Sequence, residues 1–100
     1  MDRSEVLTLI SKTYTTDAIG QKIPTETERD VFCNVSSVTR DEFYAAGKAG
    51  LNPEFRVTMY GSEYNGEEIC ELYGTRYAIY RTYIRRDDSI ELYLEKKAGV

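Results

Sequence analysis

Between Phe55 and Glu95 the chain repeats one pattern, a short alternating run followed by a turn signal. Phe55, Val57 and Met59 alternate with Arg56, Thr58 and Tyr60. Ile90, Leu92 and Leu94 alternate with Glu91, Tyr93 and Glu95. Successive strand side chains point to opposite faces, so each run has one face to bury. Asn65-Gly66 is a tight-turn signal, and Asp87-Asp88 makes another turn. Ile69 to Tyr73 and Arg76 to Arg85 flank Gly74-Thr75, which reads as a two-residue hairpin connection. Isolated short strands are unstable, so they must pair into a sheet whose edges are then hidden. The last strand is expected to turn Ile90, Leu92 and Leu94 inward. Both faces between Arg76 and Ile84 carry apolar residues, which leaves the facing of that strand open.

The first half supplies two further strands and a helix. Val6 to Tyr14 is Thr-rich and β-branched and reads as the first strand. Thr15 to Gln21 reads as a loop, with Asp17 bonding its own backbone. Pro24 is placed before the second strand, which runs from Arg29 to Val35 with Val31, Cys33 and Val35 on one face. Thr39-Arg40-Asp41-Glu42 is a capping box, in which the Thr39 hydroxyl takes the Glu42 N–H and the Glu42 carboxylate reaches back to Thr39. The helix is expected over Arg40 to Lys48, stopping at Ala49-Gly50 and showing Phe43-Tyr44 as its apolar feature. Pro53 closes the following loop, and Lys96 to Val100 reads as a frayed tail. The whole chain, 1–100, is read as one mainly β domain. Its expected form is a small β-barrel or rolled sandwich of about six to seven antiparallel strands, with one short helix between the second and third strands.

Composition removes most chemistry. Histidine is absent, which takes away the commonest general base and most zinc sites. No nucleophile elbow, phosphate-binding loop or dinucleotide fingerprint is present. Glu67-Glu68 and Asp87-Asp88 read as solvated turn and edge charges. The expectation is a protein that is not an enzyme and needs no cofactor or metal. Cys33 and Cys70 form no CxxC pair and read as buried, reduced thiols, which favours a reducing compartment. No leader or membrane span is visible, since the first apolar run, Val6 to Ile10, is short.

Nine tyrosines stand against three Phe and no Trp. Tyr73, Tyr77, Tyr80, Tyr83 and Tyr93 fall in the C-terminal block, where three readings compete: cross-strand packing, a protein interface, and a stacking platform for single-stranded nucleic acid. A stacking platform needs a basic groove. The net charge is −4, and seven nearby carboxylates from Glu67 to Glu95 offset Arg76, Arg81, Arg85 and Arg86.

The order of these features resembles the head–tail adaptor (head-closure or head–tail joining) family of tailed phages. The similar stretch runs from about Val6 to Leu94. It includes the Asp17-x-x-Gly20 loop, Asn34-Val35-Ser36, Phe43-Tyr44-Ala45-Ala46, Phe55-Arg56-Val57 and, most tellingly, Glu71-Leu72-Tyr73-Gly74-Thr75-Arg76-Tyr77-Ala78-Ile79-Tyr80. Many members carry a Trp before the helix, where this chain has Val31-Phe32-Cys33-Asn34-Val35. The resemblance implies a structural subunit of the virion neck, made in the host cytoplasm, that joins the portal side of a filled head to the tail. It implies portal-side adaptor and tail proteins as partners, a homo-oligomeric ring around the DNA channel, and a monomer when free. Such a subunit passes DNA without binding it specifically and touches no membrane. The candidate interface or channel loop is Thr39, Glu42, Phe43, Tyr44, Lys48, Leu51 and Pro53. Tyr73, Gly74, Arg76 and Tyr77 would form the scaffold hairpin. The alternatives are a barrel that binds single-stranded nucleic acid through its Tyr-rich hairpin, and a related tail-completion protein.

Overall fold

The structure, a computed structural model, describes residues 5–97, 99 and 100. Six antiparallel strands close into a barrel in the order β1-β2-β3-β6-β5-β4, with β4 returning to β1. The strands are β1 Glu5–Thr16, β2 Lys22–Ser37, β3 Pro53–Tyr60, β4 Ile69–Leu72, β5 Thr75–Ile84 and β6 Ser89–Glu95. Helix α1, Arg40–Lys48, joins β2 to β3, and a 3-10 turn, Gly61–Glu63, follows β3.

Closure follows from the alternation. The inward residues of all six strands meet in one cluster that includes Leu7, Leu9, Val31, Cys33, Val57, Met59, Cys70, Leu72, Ile90, Leu92 and Leu94. A barrel this narrow is filled by its own side chains. Cys33 and Cys70 are fully buried within it and unbonded. Burial pushes their thiols up to about 11 and about 12, with smaller contributions from Glu5 on Cys33 and from Cys33 on Cys70. At neutral pH both behave as small apolar groups rather than nucleophiles.

The first hairpin is longer than the sequence suggests. β1 extends through Thr15 and Thr16, and β2 begins at Lys22, so Pro24 lies inside a strand, opposite Tyr14. The misplacement has a physical reason. From Lys22 to Cys33, β2 pairs only with β1, and β3 joins only at Asn34. On an open edge a missing N–H costs no ladder bond. β4 likewise stops opposite Ile10, so β1 beyond that point has β2 alone as its neighbour. The two strands therefore leave the barrel as a ribbon, along the 50 Å axis of a molecule only 30 × 25 Å across. At its tip Asp17 Oδ1 accepts the N–H groups of Ile19, at 3.0 Å, and Gln21, at 2.8 Å.

The β4–β5 turn is offset by one residue from its expected position. Leu72 pairs with Thr75, so the central residues are Tyr73 and Gly74. Both take positive φ, 52° and 77°, as a type I′ turn demands. Asn65-Gly66 makes no hairpin, because β3 and β4 are not neighbours; this segment crosses the end of the barrel instead.

Two irregularities settle the facing of β5 and β6. The registers place Ile79 opposite Leu94 and Arg81 opposite Tyr93, which leaves Tyr80 as an extra residue. A similar shift on β3 leaves Glu54 between Pro53 and Phe55. Such bulges bend a strand and re-aim its side chains. Tyr77 lies inside the barrel, and Tyr80 is turned out toward α1. The outward face of β6 is also covered. Tyr93 and Glu95 are both 7% exposed, Tyr93 beneath Arg81 and Glu95 facing the Asn52 N–H at 3.4 Å. Of the segment read as a tail, Ala98 lies outside the described residues, while the Lys96 N–H bonds the Asn52 carbonyl at 3.2 Å.

Candidate docking helix and barrel hairpin

Helix α1 starts where its cap predicts. Thr39 is extended, and its Oγ1 accepts the Glu42 N–H at 3.2 Å. Asp41 and Glu42 occupy the first turn and Lys48 the last, matching the helix dipole. The far end closes as a Schellman motif. The Gly50 N–H bonds Gly47 O and the Leu51 N–H bonds Ala46 O, with Gly50 at φ +82°. The loop then delivers Pro53, buried, as the first residue of β3.

The second half of the capping box does not form. The Glu42 carboxylate leaves Thr39 and reaches the barrel, where Oε2 accepts the Tyr80 hydroxyl at 2.8 Å and Oε1 accepts the Arg81 guanidinium. Two ligands aimed by the β5 bulge outcompete one backbone N–H that water can serve. Arg81 also lies 4.3 Å above the Tyr93 ring. Burial first, and then the Glu42 hydrogen bond, push the Tyr80 phenol well above its ordinary value. Glu42 thus pins a helix whose single buried residue is Ala46. Glu42→Ala should speed amide exchange in Ala46–Lys48 by about tenfold and let Tyr80 titrate at lower pH. Hydrogen exchange read by NMR checks this; unchanged exchange would show that Ala46 alone holds the helix.

With Glu42 turned inward, Phe43 and Tyr44 face out. They are 50% and 62% exposed and touch edge-to-face at 6.0 Å. Lys48 is exposed on the same helix, and Leu51 is half-buried behind it.

The hairpin residues do separate jobs. The Tyr77 ring packs at 89° on Phe55 inside the barrel, and Tyr73 stacks edge-on to the same Phe55 from outside. Arg76 forms a bidentate pair with Glu26 of β2, at 2.8 and 3.0 Å. Gly74 supplies the turn. By strand direction, this turn and α1 cap one end of the barrel, and the ribbon leaves the other.

No common tyrosine platform exists among the described residues. Tyr77 is internal, Tyr80 and Tyr93 lie around Arg81, and the exposed Tyr73 and Tyr83 sit at opposite ends of the hairpin. Three of the four arginines near the hairpin, Arg76, Arg81 and Arg85, are not free to line a basic groove. Arg29, Arg76, Arg81 and Arg85 each meet a carboxylate: Glu67, Glu26, Glu42 and Glu91 respectively. Glu67, expected as a solvated charge, is only 8% exposed.

Sequence reasoning missed two features, the apolar tip of the ribbon and a cleft at the same barrel end. The cleft, of about 590 Å³, is walled by Tyr60, Tyr64, Ile84 and Ile90. The available signal was weak: Ile19 inside a polar loop, and Ile84 at the end of an otherwise polar strand terminus. No protein-family model matches the chain, and no curated protein matches it.

Proposed function

We propose that this chain is a connector subunit of a tailed-phage particle, joining the portal side of the DNA-filled head to the tail as one copy of a ring around the DNA channel. The observation that carries the reading is Phe43-Tyr44, an apolar pair displayed on a helix that Glu42 fixes to a closed barrel. Exposed aromatics on a positioned element fit a docking role. The resemblance over Val6 to Leu94 supplies the partner class. Net charge of −4, with Arg29, Arg76, Arg81 and Arg85 engaged by carboxylates, suits a wall that DNA slides past. The same pairing disfavours the nucleic-acid-binding alternative, which needs unpaired cations. The reading assigns no catalytic step to any residue.

The test is the double substitution Phe43→Ala, Tyr44→Ala, placed in the phage genome that carries the gene. Both rings are half or more exposed, so stability should change by no more than about 0.5 kcal/mol for each. Virion yield should collapse, with DNA-filled heads and free tails accumulating in electron micrographs. Wild-type yields of joined particles would overturn the docking role.

A further inference from the structure

The ribbon tip and the cleft form a complementary pair on one molecule. At the tip, Ile19 is 78% exposed and Ile23 is 46% exposed, with Lys22, the first residue of β2, between them in the chain. Asp17 is already spent on the tip's own N–H groups, so the tip presents an apolar knob beside a cation. The cleft is the reverse. Tyr60, Tyr64, Ile84 and Ile90 make its walls, Ile84 being 76% exposed, and Asp87 and Asp88 stand at its rim. Arg85, also at the rim, is drawn to Glu91 at 3.5 Å.

Their placement on different strands of one barrel end favours docking onto a second copy. Tip and cleft belong to the same barrel end, because β1 and β3 run toward it and the β5–β6 turn closes it. They lie on different flanks: the ribbon is built of β1 and β2, whereas the cleft is walled by the ends of β3, β5 and β6. A knob on one flank and a socket on the other define a head-to-tail contact, and such contacts close into rings when the rotation permits.

We infer that the ribbon tip of one copy, centred on Ile19, seats in the Tyr60–Tyr64–Ile84–Ile90 cleft of the next copy, with Lys22 facing Asp87 and Asp88. This rests on the ring reading and names the surface that builds the ring. A hairpin tip in a cleft buries less than the ~1,200 Å² of a stable interface, so the contact is weak in dilute protein and needs a template or high concentration.

The experiment uses the intact chain with single introduced cysteines. Cys33 and Cys70 are buried, so thiol reagents select the new site. Ile19→Cys protein is mixed with Ser62→Cys protein at high concentration and treated with a short bifunctional thiol crosslinker; Ser62 lines the cleft. The mixture should give a heterodimer well above the self-crosslinked background of either variant. Adding Ile84→Glu to the Ser62→Cys protein should cut that yield by about tenfold, as loss of a central contact does. Sedimentation of Ile19→Asp protein provides the second arm. Concentration-dependent association that survives Ile19→Asp, with no heterodimer crosslink, overturns the inference and leaves the ring reading standing. Absence of any self-association, in solution and on the portal-side layer alike, overturns both.

Discussion

A Leu92→Ala protein will lose about 3 kcal/mol of stability, the mid-range for deleting a fully buried leucine side chain. Leu92 has no exposed surface and pairs with Val57 of β3 on one side and Thr82 of β5 on the other. Its side chain points into a barrel too narrow to collapse around a void, because six strands hydrogen-bonded in a closed ring cannot close up independently. The cost is therefore transfer plus cavity rather than transfer alone. For a domain of this size, with a urea m-value of about 1 kcal/mol/M, the unfolding midpoint should fall by about 3 M. Val6→Ala is the comparison. It removes two methyl groups from a β1 side chain that is 49% exposed and should move the midpoint by no more than about 0.5 M. Equal shifts in the two proteins would mean that the inward set is not the one assigned here.

That contrast separates what the sequence could say from what it could not. The inward set of β6 was legible because Ile90, Leu92 and Leu94 keep strict alternation. The same period-two reasoning placed Val31 and Cys33 correctly, and the Thr39 cap located α1 to the residue. Each of these signals is local. The errors fell where a distant strand decides the outcome. Pro24 looked like a strand breaker because a proline is costly inside a sheet, yet β2 has an open edge there, and only the barrel's strand order reveals it. Tyr80 could not be assigned a face, because a bulge between Ile79 and Arg81 resets the alternation midway through β5. Glu42 was read as closing its own capping box. Its real partners, Tyr80 and Arg81, lie 38 and 39 residues away. The candidate docking residues were thus legible as a helix, but the reason Phe43 and Tyr44 face outward was not. That reason is the tether at Glu42, which fixes which side of α1 meets the barrel.

Glu67 is the second place where a long-range contact overrides a local reading, and Glu67→Ala should cost about 2 kcal/mol at pH 7. Its Oε2 accepts Arg29 Nη2 at 2.8 Å and its Oε1 accepts the Asn65 N–H at 2.8 Å. The Tyr64 hydroxyl donates to the Glu67 carbonyl at 2.7 Å. Together these bonds staple the crossing between β3 and β4 onto β2, at the end where the ribbon departs. The alanine strands the Asn65 N–H and leaves Arg29 without its carboxylate. Arg29 keeps 38% of its side chain exposed, so it rehydrates, and the loss falls short of that for a fully buried pair. Burial by itself would raise the Glu67 carboxyl. The Arg29 guanidinium and the N–H bonds from its own backbone and Asn65 together outweigh burial and hold it below its ordinary 4.5. A depressed carboxyl adds stability in full above its unfolded value and loses that stability as pH falls through its folded value. The gap between wild-type and Glu67→Ala midpoints should therefore be constant from pH 7 down to about pH 5 and narrow below about pH 4.5. Glu26, lowered by the Arg76 pair, and Asp87, lowered by Ser89, are shifted in the same direction. Both are present in wild type and variant, so their effects cancel in the difference. Urea midpoints of the two proteins at pH 7, 5, 4 and 3 decide the matter. A gap that stays the same at pH 3 would assign the loss to packing of the Glu67 stem rather than to its charge.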